Sequence, residues 1–455
     1  MASHVEAIPP SPTPIPPTTW GMRIGIFVAA ALVGAAAYLL APIIGARGQA
    51  AAGAICFMLI VAACSMNLHA VNWRTIGWGI ALQLGLAVAI LKLQIGGVRP
   101  GYGLFTAVAA VVKKFLEFTG AGSQFVFGGL ADPAAMQKVF PGGLVFAFTA
   151  LPTIIFVSSF FTVLYYFGIL QFIVRLMARA MIYLMRTSGA ETLSAAANVF
   201  MGQTEAPIIV KPYVPGMTQS ELLAMMVGGM ATISGGVMAV YISMGADPVA
   251  ILTTSVMAAP CGLYLSKLML PELEKPATRG EARIALERSH VNVIDAAASG
   301  ASDGMILAIN VAAMLIAFLA FIALFDYVLG RINPGLSLSR VFSWVFAPVA
   351  FLMGVPRADV PAVADLLGTK LVANEFVAFV KLTTQYKGVI SERAHVLSTF
   401  ALTGFANFAS IGIQLGGIGG MAPARRHDLA RLGMRALLVG FLATMINASI
   451  AAMLL

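Results

Sequence analysis

The sequence predicts an all-α polytopic membrane protein: about nine transmembrane helices and two re-entrant hairpins, with the hairpins in an inverted-repeat core. Three observations carry this. Of 455 residues, 59% are hydrophobic and only 10% are charged, whereas soluble domains carry about a quarter charged residues. Apolar runs of roughly 20 residues recur along the chain, the length at which a helix crosses the hydrocarbon core. Two further apolar segments are interrupted near their middles by polar residues, glycine and proline. Strand-like alternation is absent, so helices rather than a barrel satisfy the backbone in lipid.

The elements follow in order. Residues 1–20 hold the run PPSPTPIPPTT and predict a disordered polar tail. Its proline density replaces the short basic start of a cleaved signal peptide. Spans are predicted at 23–44, 49–67 and 73–95. Residues 105–118 mix apolar positions with Lys113, Lys114 and Glu117 and predict an interfacial amphipathic helix. A span at 143–170 precedes Arg175, Arg179 and Arg186. Spans at 222–244 and 249–269 lead into a polar stretch, 271–290, with Lys275, Arg279, Arg283 and Arg288. Further spans fall at 306–329, 396–420 and 432–455, the last two flanking Arg425, Arg426 and Arg431.

Basic loops mark the cytoplasmic side. Threading the spans through them places the N-terminus in the cytoplasm and the C-terminus in the periplasm of a cell inner membrane. The net charge of +9 is therefore loop charge in contact with lipid and solvent, not a nucleic-acid surface. The threading works only if 191–213 and 340–383 enter and leave on one face, as hairpins. Irregular backbone at membrane depth survives only where protein or water lines it.

Each half then repeats a hairpin, a glycine-interrupted helix and a span. The interrupted helices are ATISGGVMAVYISMG at 231–245 and GFANFASIGIQLGG at 404–417. The expected organisation is the tail (1–20), scaffold spans (21–186), a first transport half (187–270), a loop and scaffold span (271–330), and a second transport half (331–455). Interrupted segments in matching positions of inverted halves point to a transporter's binding site.

The first hairpin presents Gln203, Thr204 and Glu205, with Pro207 and Pro212 preventing a continuous helix. A carboxylate at membrane depth costs several kcal/mol and persists only with a partner. For Glu205 that partner is either Lys211, as structural glue, or a polar solute. The second hairpin reads KLVANEFVAF and offers Asn374 and the matching acid Glu375. Asn407 and Ser410, three apart, share a helical face. Phe405 reaches that face only if the helix breaks, which Gly404 favours.

The stretches GQTEAPIIVKPY, KLVANEFVAF and GFANFASIGIQLGG resemble, in order and spacing, the signatures of the concentrative nucleoside transporters. The resemblance runs from about residue 73 to the C-terminus. It implies nucleobase contacts at Gln203, Thr204, Glu205 and Val237, and ribose contacts at Glu375, Asn407 and Ser410. It places Phe405 beside the base. It also implies a sodium site at Asn198 and Thr232, with backbone carbonyls of Met201, Thr232 and Ile233. Thr232 stands where a serine is common in the family and keeps the hydroxyl. Proton coupling through Glu205 or Glu375 is the alternative. A homotrimer is implied as well. Pyrimidine nucleosides, uridine first, are the expected substrates, and the first span is expected to play no part in transport.

An enzyme is not expected. HExxH, HxxxD, CxxC and GxxxxGK[ST] motifs are missing. The five histidines lie in the tail, in loops or at span ends, and Cys56, Cys64 and Cys261 sit in apolar segments as small core residues. A hydrolase using Glu205 and Glu375 as an acid–base pair, or a channel, are the remaining classes; product formation would reveal the first, and uphill accumulation would exclude the second.

Overall fold

A computed structural model describes residues 17–132, 135–136, 146–278 and 290–455. Most of the predicted tail, residues 143–145 of one predicted span, and Arg279, Arg283 and Arg288 lie outside these residues. The fold is all-α and polytopic. Helices α1 (Trp20–Leu39), α2 (Ala41–Ala63) and α3 (Trp73–Leu91) are apolar spans. Helix α4 (Pro100–Phe127) covers the predicted interfacial segment and extends it at both ends. Pro100 supplies a helix start, and Gly128 at φ 58° supplies the stop. Its Lys114 and Glu117 pair at 2.6 Å on the exposed side.

The predicted span 143–170 is α5 (Phe146–Tyr166), which stops before Gly168 in the left-handed region. There the chain bends by 72° into α6 (Ile169–Met185), which carries Arg175 and Arg179. The first hairpin follows as α7 (Gly189–Ala197), a turn at 198–205, and a 3-10 arm, Ala206–Gly216. Pro207, Pro212 and Pro215 explain why the second arm is not α-helical. Helix α8 (Gln219–Ala231) breaks at 232–234 and resumes as α9 (Gly235–Met244), and α10 (Pro248–Met269) is the next span.

Three expectations need correction. The predicted span 306–329 is one part of a 40-residue helix, α11 (Val293–Ile332). At 1.5 Å per residue it runs about 60 Å, roughly twice the hydrocarbon thickness. Asn292 caps it, accepting from Asp295 N, so its polar first turns stay helical. The second hairpin is shorter than 340–383. Gly354 (φ 81°) and Pro356 separate α12 (Leu338–Val345) and α13 (Ala347–Leu352) from the hairpin proper, α14 (Val360–Val372) and α15 (Glu375–Thr383). Finally, 396–420 is not one span. It is α16 (Glu392–Leu402) and α17 (Phe408–Met421), separated by a break at 403–407. Helix α18 (Arg426–Leu454) ends the chain. Among the described residues, seven helices are long and apolar enough to cross a membrane, or eight counting the bent pair.

Burial sorts the spans. The most apolar windows of α8–α9, α10 and α18 are 94%, 89% and 83% buried, against 11% for α1 and 12% for α11. The first broken helix, α10 and α18 therefore form the core, while α1 and α11 turn most of their surface outward.

The first half is held together at one end by charge. Ser188 and Thr218 cap α7 and α8, and their backbone N–H groups donate to Glu191 (2.8 Å) and Glu221 (2.9 Å). Lys267 of α10 then bridges Glu191 at 2.6 Å and Glu272 at 3.2 Å, and donates to Ser220. Small residues permit close approach along α8. A Cβ at Gly229 would lie 2.7 Å from Gln203 Cβ, and one at Gly228 would lie 3.1 Å from Asn198 Nδ2.

Candidate functional site

The two helix breaks touch. Phe405 N, in the second break, donates to Thr232 O, in the first, at 3.1 Å. Gly404 permits this, because a Cβ there would fall 2.7 Å from Thr444 Cγ2 and 3.0 Å from Met230 O. Each break begins with a threonine whose hydroxyl turns back on its own helix. Thr232 donates to Gly228 O (2.8 Å) and Thr403 donates to Thr399 O (2.6 Å). Each resumes with a polar cap: Ser234 accepts from Val237 N, and Asn407 accepts from Ser410 N at 2.9 Å.

Around this crossing lies a cavity of about 170 Å³. Its walls include Gln203, Thr204 and Glu205 from the first hairpin, Val237 from α9, and Glu375 from the second hairpin. Phe405, Asn407 and Ser410 from the second broken helix complete the set, so all eight residues expected at a solute site face one space. It shares Glu205, Ser234 and Leu307 with a wider cavity of about 590 Å³. Leu307, Val311 and Leu315, four apart on α11, line the inner cavity, and Asp303, one turn earlier, lines the wider one.

Glu375 is the most tightly organised group. It is buried in the first turn of α15, with Asn374 as cap accepting from Val377 N at 2.8 Å. Tyr241 OH donates to its Oε1 at 3.1 Å and Asn407 Nδ2 to its Oε2 at 2.8 Å. A carboxylate has about four acceptor sites, so two remain for hydroxyl donors from the cavity. Tyr241 is fixed in turn by stacking on Phe379, with centroids 4.0 Å apart.

Gln203 is also held. Its Nε2 donates to Ser410 Oγ at 3.2 Å, and its Oε1 accepts from Gln414 Nε2 at 3.2 Å. Gln414 donates to Met226 O as well, at 3.0 Å. The tip of the first hairpin is thus tied to both broken helices. Thr204 packs on α17, where a Cβ at Gly417 would lie 2.5 Å from its Cγ2. Glu205 takes a different course from the Lys211 pairing considered above. Its Oε2 accepts from Gly202 N at 3.0 Å, closing the turn, and the side chain is exposed into the cavities. Lys211 lines the wider cavity without an ion pair among those found in the described residues.

The residues expected to hold a cation lie in the first hairpin's turn and in the first break. Asn198 caps the end of α7, and its Nδ2 donates to Ser194 O at 3.0 Å. Its Oδ1 is buried with no hydrogen-bond partner, an orphan acceptor of the kind a hard cation satisfies. Thr232 keeps its oxygen lone pairs free because its hydroxyl acts as donor. Met201 lies in the turn and Ile233 in the break, where carbonyls are released from helical bonding. These neutral oxygen donors fit sodium.

Tyr241 and Gln414 escaped the sequence-based site, while Asn374, offered there beside Glu375, serves as the helix cap. Tyr241 lies one turn after Val237, and Gln414 one turn after Ser410. The helical period of a site already suspected would have found both.

Three family descriptions match in series: "Na+ dependent nucleoside transporter N-terminus" over residues 52–130, "Nucleoside recognition" over 147–248, and "Na+ dependent nucleoside transporter C-terminus" over 250–452. The chain is 42% identical over 409 residues to a Haemophilus influenzae protein described as an uncharacterized transporter, covering 88% of this chain and 95% of the relative. It is 42% identical over 424 residues to the sodium/nucleoside cotransporter 1 of Mus musculus, covering 89% of this chain but 63% of that longer relative. The chain thus spans less than two thirds of the mammalian cotransporters it matches. A solved structure described as CNTnw in an inward-facing substrate-bound state aligns with a TM-score of 0.84 at 38% identity, over 90% of this chain and 98% of that one.

Proposed function

The chain belongs to the Na+ dependent nucleoside transporter family, and from that premise we propose that it imports nucleosides by sodium symport through alternating access. The observation that carries this is the meeting of both hairpin tips at one polar cavity inside an apolar fold, with Glu375 pinned between Tyr241 and Asn407. Gln203, Thr204 and Glu205 would read the nucleobase. A glutamine amide supplies a donor and an acceptor to match a pyrimidine's N–H and carbonyl edge. Val237 and Phe405 would pack on the ring. Glu375, Asn407 and Ser410 would take the ribose, where hydroxyl-to-carboxylate bonds are charge-assisted. A solute without those hydroxyls would leave the acid unpaired, which is how such a site discriminates.

Sodium enters here as co-substrate, held by Asn198, Thr232 and the carbonyls of Met201, Thr232 and Ile233. Its position beside the tip of the first hairpin would order Gln203 and Glu205, giving ion and nucleoside a shared bound state.

Positive-inside threading puts the start of α11 at the cytoplasmic face. On this reading the wider cavity, lined by Asp303 near that end, opens to the cytoplasm, the C-terminus is periplasmic and the membrane is a bacterial inner membrane. The little-buried faces of α1 and α11 would meet lipid or, in a homotrimer, neighbouring copies. Uridine uptake into proteoliposomes tests the proposal. An inward Na+ gradient should drive accumulation above the external concentration. Uptake driven by a proton gradient without Na+ would replace sodium by a proton carried on Glu205 or Glu375. Equilibration without accumulation would refute symport.

A further inference from the structure

Lys370 is completely buried in the second hairpin, five residues before Glu375. No carboxylate lies within ion-pair distance of it among the described residues. Its ammonium instead donates to Ala401 O at 2.7 Å and to Thr444 Oγ1 at 2.9 Å. The third side is the face of the Phe441 ring, with Nζ 5.6 Å from the centroid. A charge so deep in an apolar protein needs a reason.

The internal repeat supplies one. Ala401 is in the last turn of α16, just before the second break, so its carbonyl belongs to the negative end of a broken helix. In the first half the matching end is the last turn of α8. There Asn198 packs on Gly228 and keeps an unpaired oxygen. Lys370 stands three residues before the cap of α14, and the residue three before the cap of α7 is Ala195, which packs on Gly228. One half therefore ends its arm with a methyl group and an orphan oxygen. The other reaches an ammonium onto carbonyl and hydroxyl oxygens, a ligand set that also suits sodium.

We propose that Lys370 is a tethered cation filling the second half's counterpart of the ion site, so that only the first half takes a cation from solution. It sits on the arm of the same hairpin, five residues before the acid that lines the cavity. The fixed charge would thus stay on the hairpin that presents Glu375 to the solute, while the first half alone supplies the driving ion. The inference deepens the symport reading and rests on Asn198 and Thr232 as ligands of the external ion.

Counting bound ²²Na⁺ on the purified chain tests it without transport. One ion per chain is expected in the wild type and two in Lys370→Ser. At a Na+ concentration that just fills the wild type, Asn198→Ala should lose most of its ion, and the Asn198→Ala, Lys370→Ser double variant should keep about one. A folded, monodisperse Lys370→Ser with its parent's count would overturn the proposal, as would two ions in the wild type. Should Asn198→Ala keep its ion, the first-half assignment fails, while the increment on removing Lys370 still decides this one. Uridine binding gives a second measure if Lys370→Ser does not fold. Lys370→Gln retains hydrogen-bond donors without charge and should weaken binding about tenfold relative to Lys370→Arg. Equal affinities for those two variants would show that the charge is not what matters.

Discussion

The two broken helices share a backbone plan and differ in what they do with it. Both end on a threonine that turns back on its own helix, both restart on a polar cap, and they cross at Thr232 and Phe405. The hairpins before them differ in their turns. The first spends 198–205 on its turn and sets Gln203, Thr204 and Glu205 there, while the second turns at 373–374 and drives Glu375 directly into a helix start. The first keeps an unpaired buried oxygen on Asn198, and the second is filled by Lys370. A long turn can present several groups and rearrange around an ion. A short capped turn fixes one carboxylate. Duplicated architecture thus supplies the place, and side chains divide the work.

The division can be broken most sharply at the rigid tip. Glu375→Gln removes the charge that Tyr241 and Asn407 hold in place, and two charge-assisted bonds to a solute are together worth about 3 kcal/mol or more. Uridine affinity, measured by equilibrium binding, should fall more than about a hundredfold. The next test is the crossing itself. Gly404→Val forces a side chain onto Thr444 and Met230 O, both backed by packed helix. A loss of about 2–4 kcal/mol in stability should show as a lower melting temperature and as protein unable to bind either ligand.

Asn198→Ala acts at the start of the long turn. It should raise the Na+ concentration for half-maximal uptake about tenfold while uridine affinity at saturating Na+ stays within about threefold, because no cavity-lining residue is removed. If both parameters move together, the halves are not divided as described. Gln414→Ala should have the smallest effect, since it loosens Gln203 without touching the solute. A loss of about 1 kcal/mol, or roughly fivefold in affinity for uridine, is expected, and the effect should vanish in a Gln203→Ala background.

Much of this was legible from the sequence because a membrane makes polar residues conspicuous. Glu205, Glu375 and Asn407 stand out in apolar runs, and the repeated glycine interruptions locate both breaks. The boundaries failed where local pattern competes with context. The predicted span 396–420 has the length and apolarity of a helix, and only the crossing with Thr232 shows that Phe405 lends its N–H to the other half. The 40 residues of α11 read as a shorter span because Asp295 and Asp303 look like loop residues, yet a capped helix tolerates them outside the lipid. Lys370 went unremarked because its partners, Ala401 O and Thr444, are 31 and 74 positions away. No local pattern announces such a contact.

The most direct measurement is a cycle between the acid and the sugar: uridine and 2′,3′-dideoxyuridine, each titrated against the wild type and Glu375→Gln in saturating Na+. If Glu375 holds the ribose hydroxyls, the wild type should lose roughly a hundredfold without them, and Glu375→Gln should barely distinguish the two nucleosides. Independent, multiplying losses in the variant would place the sugar elsewhere and contradict the shared pocket.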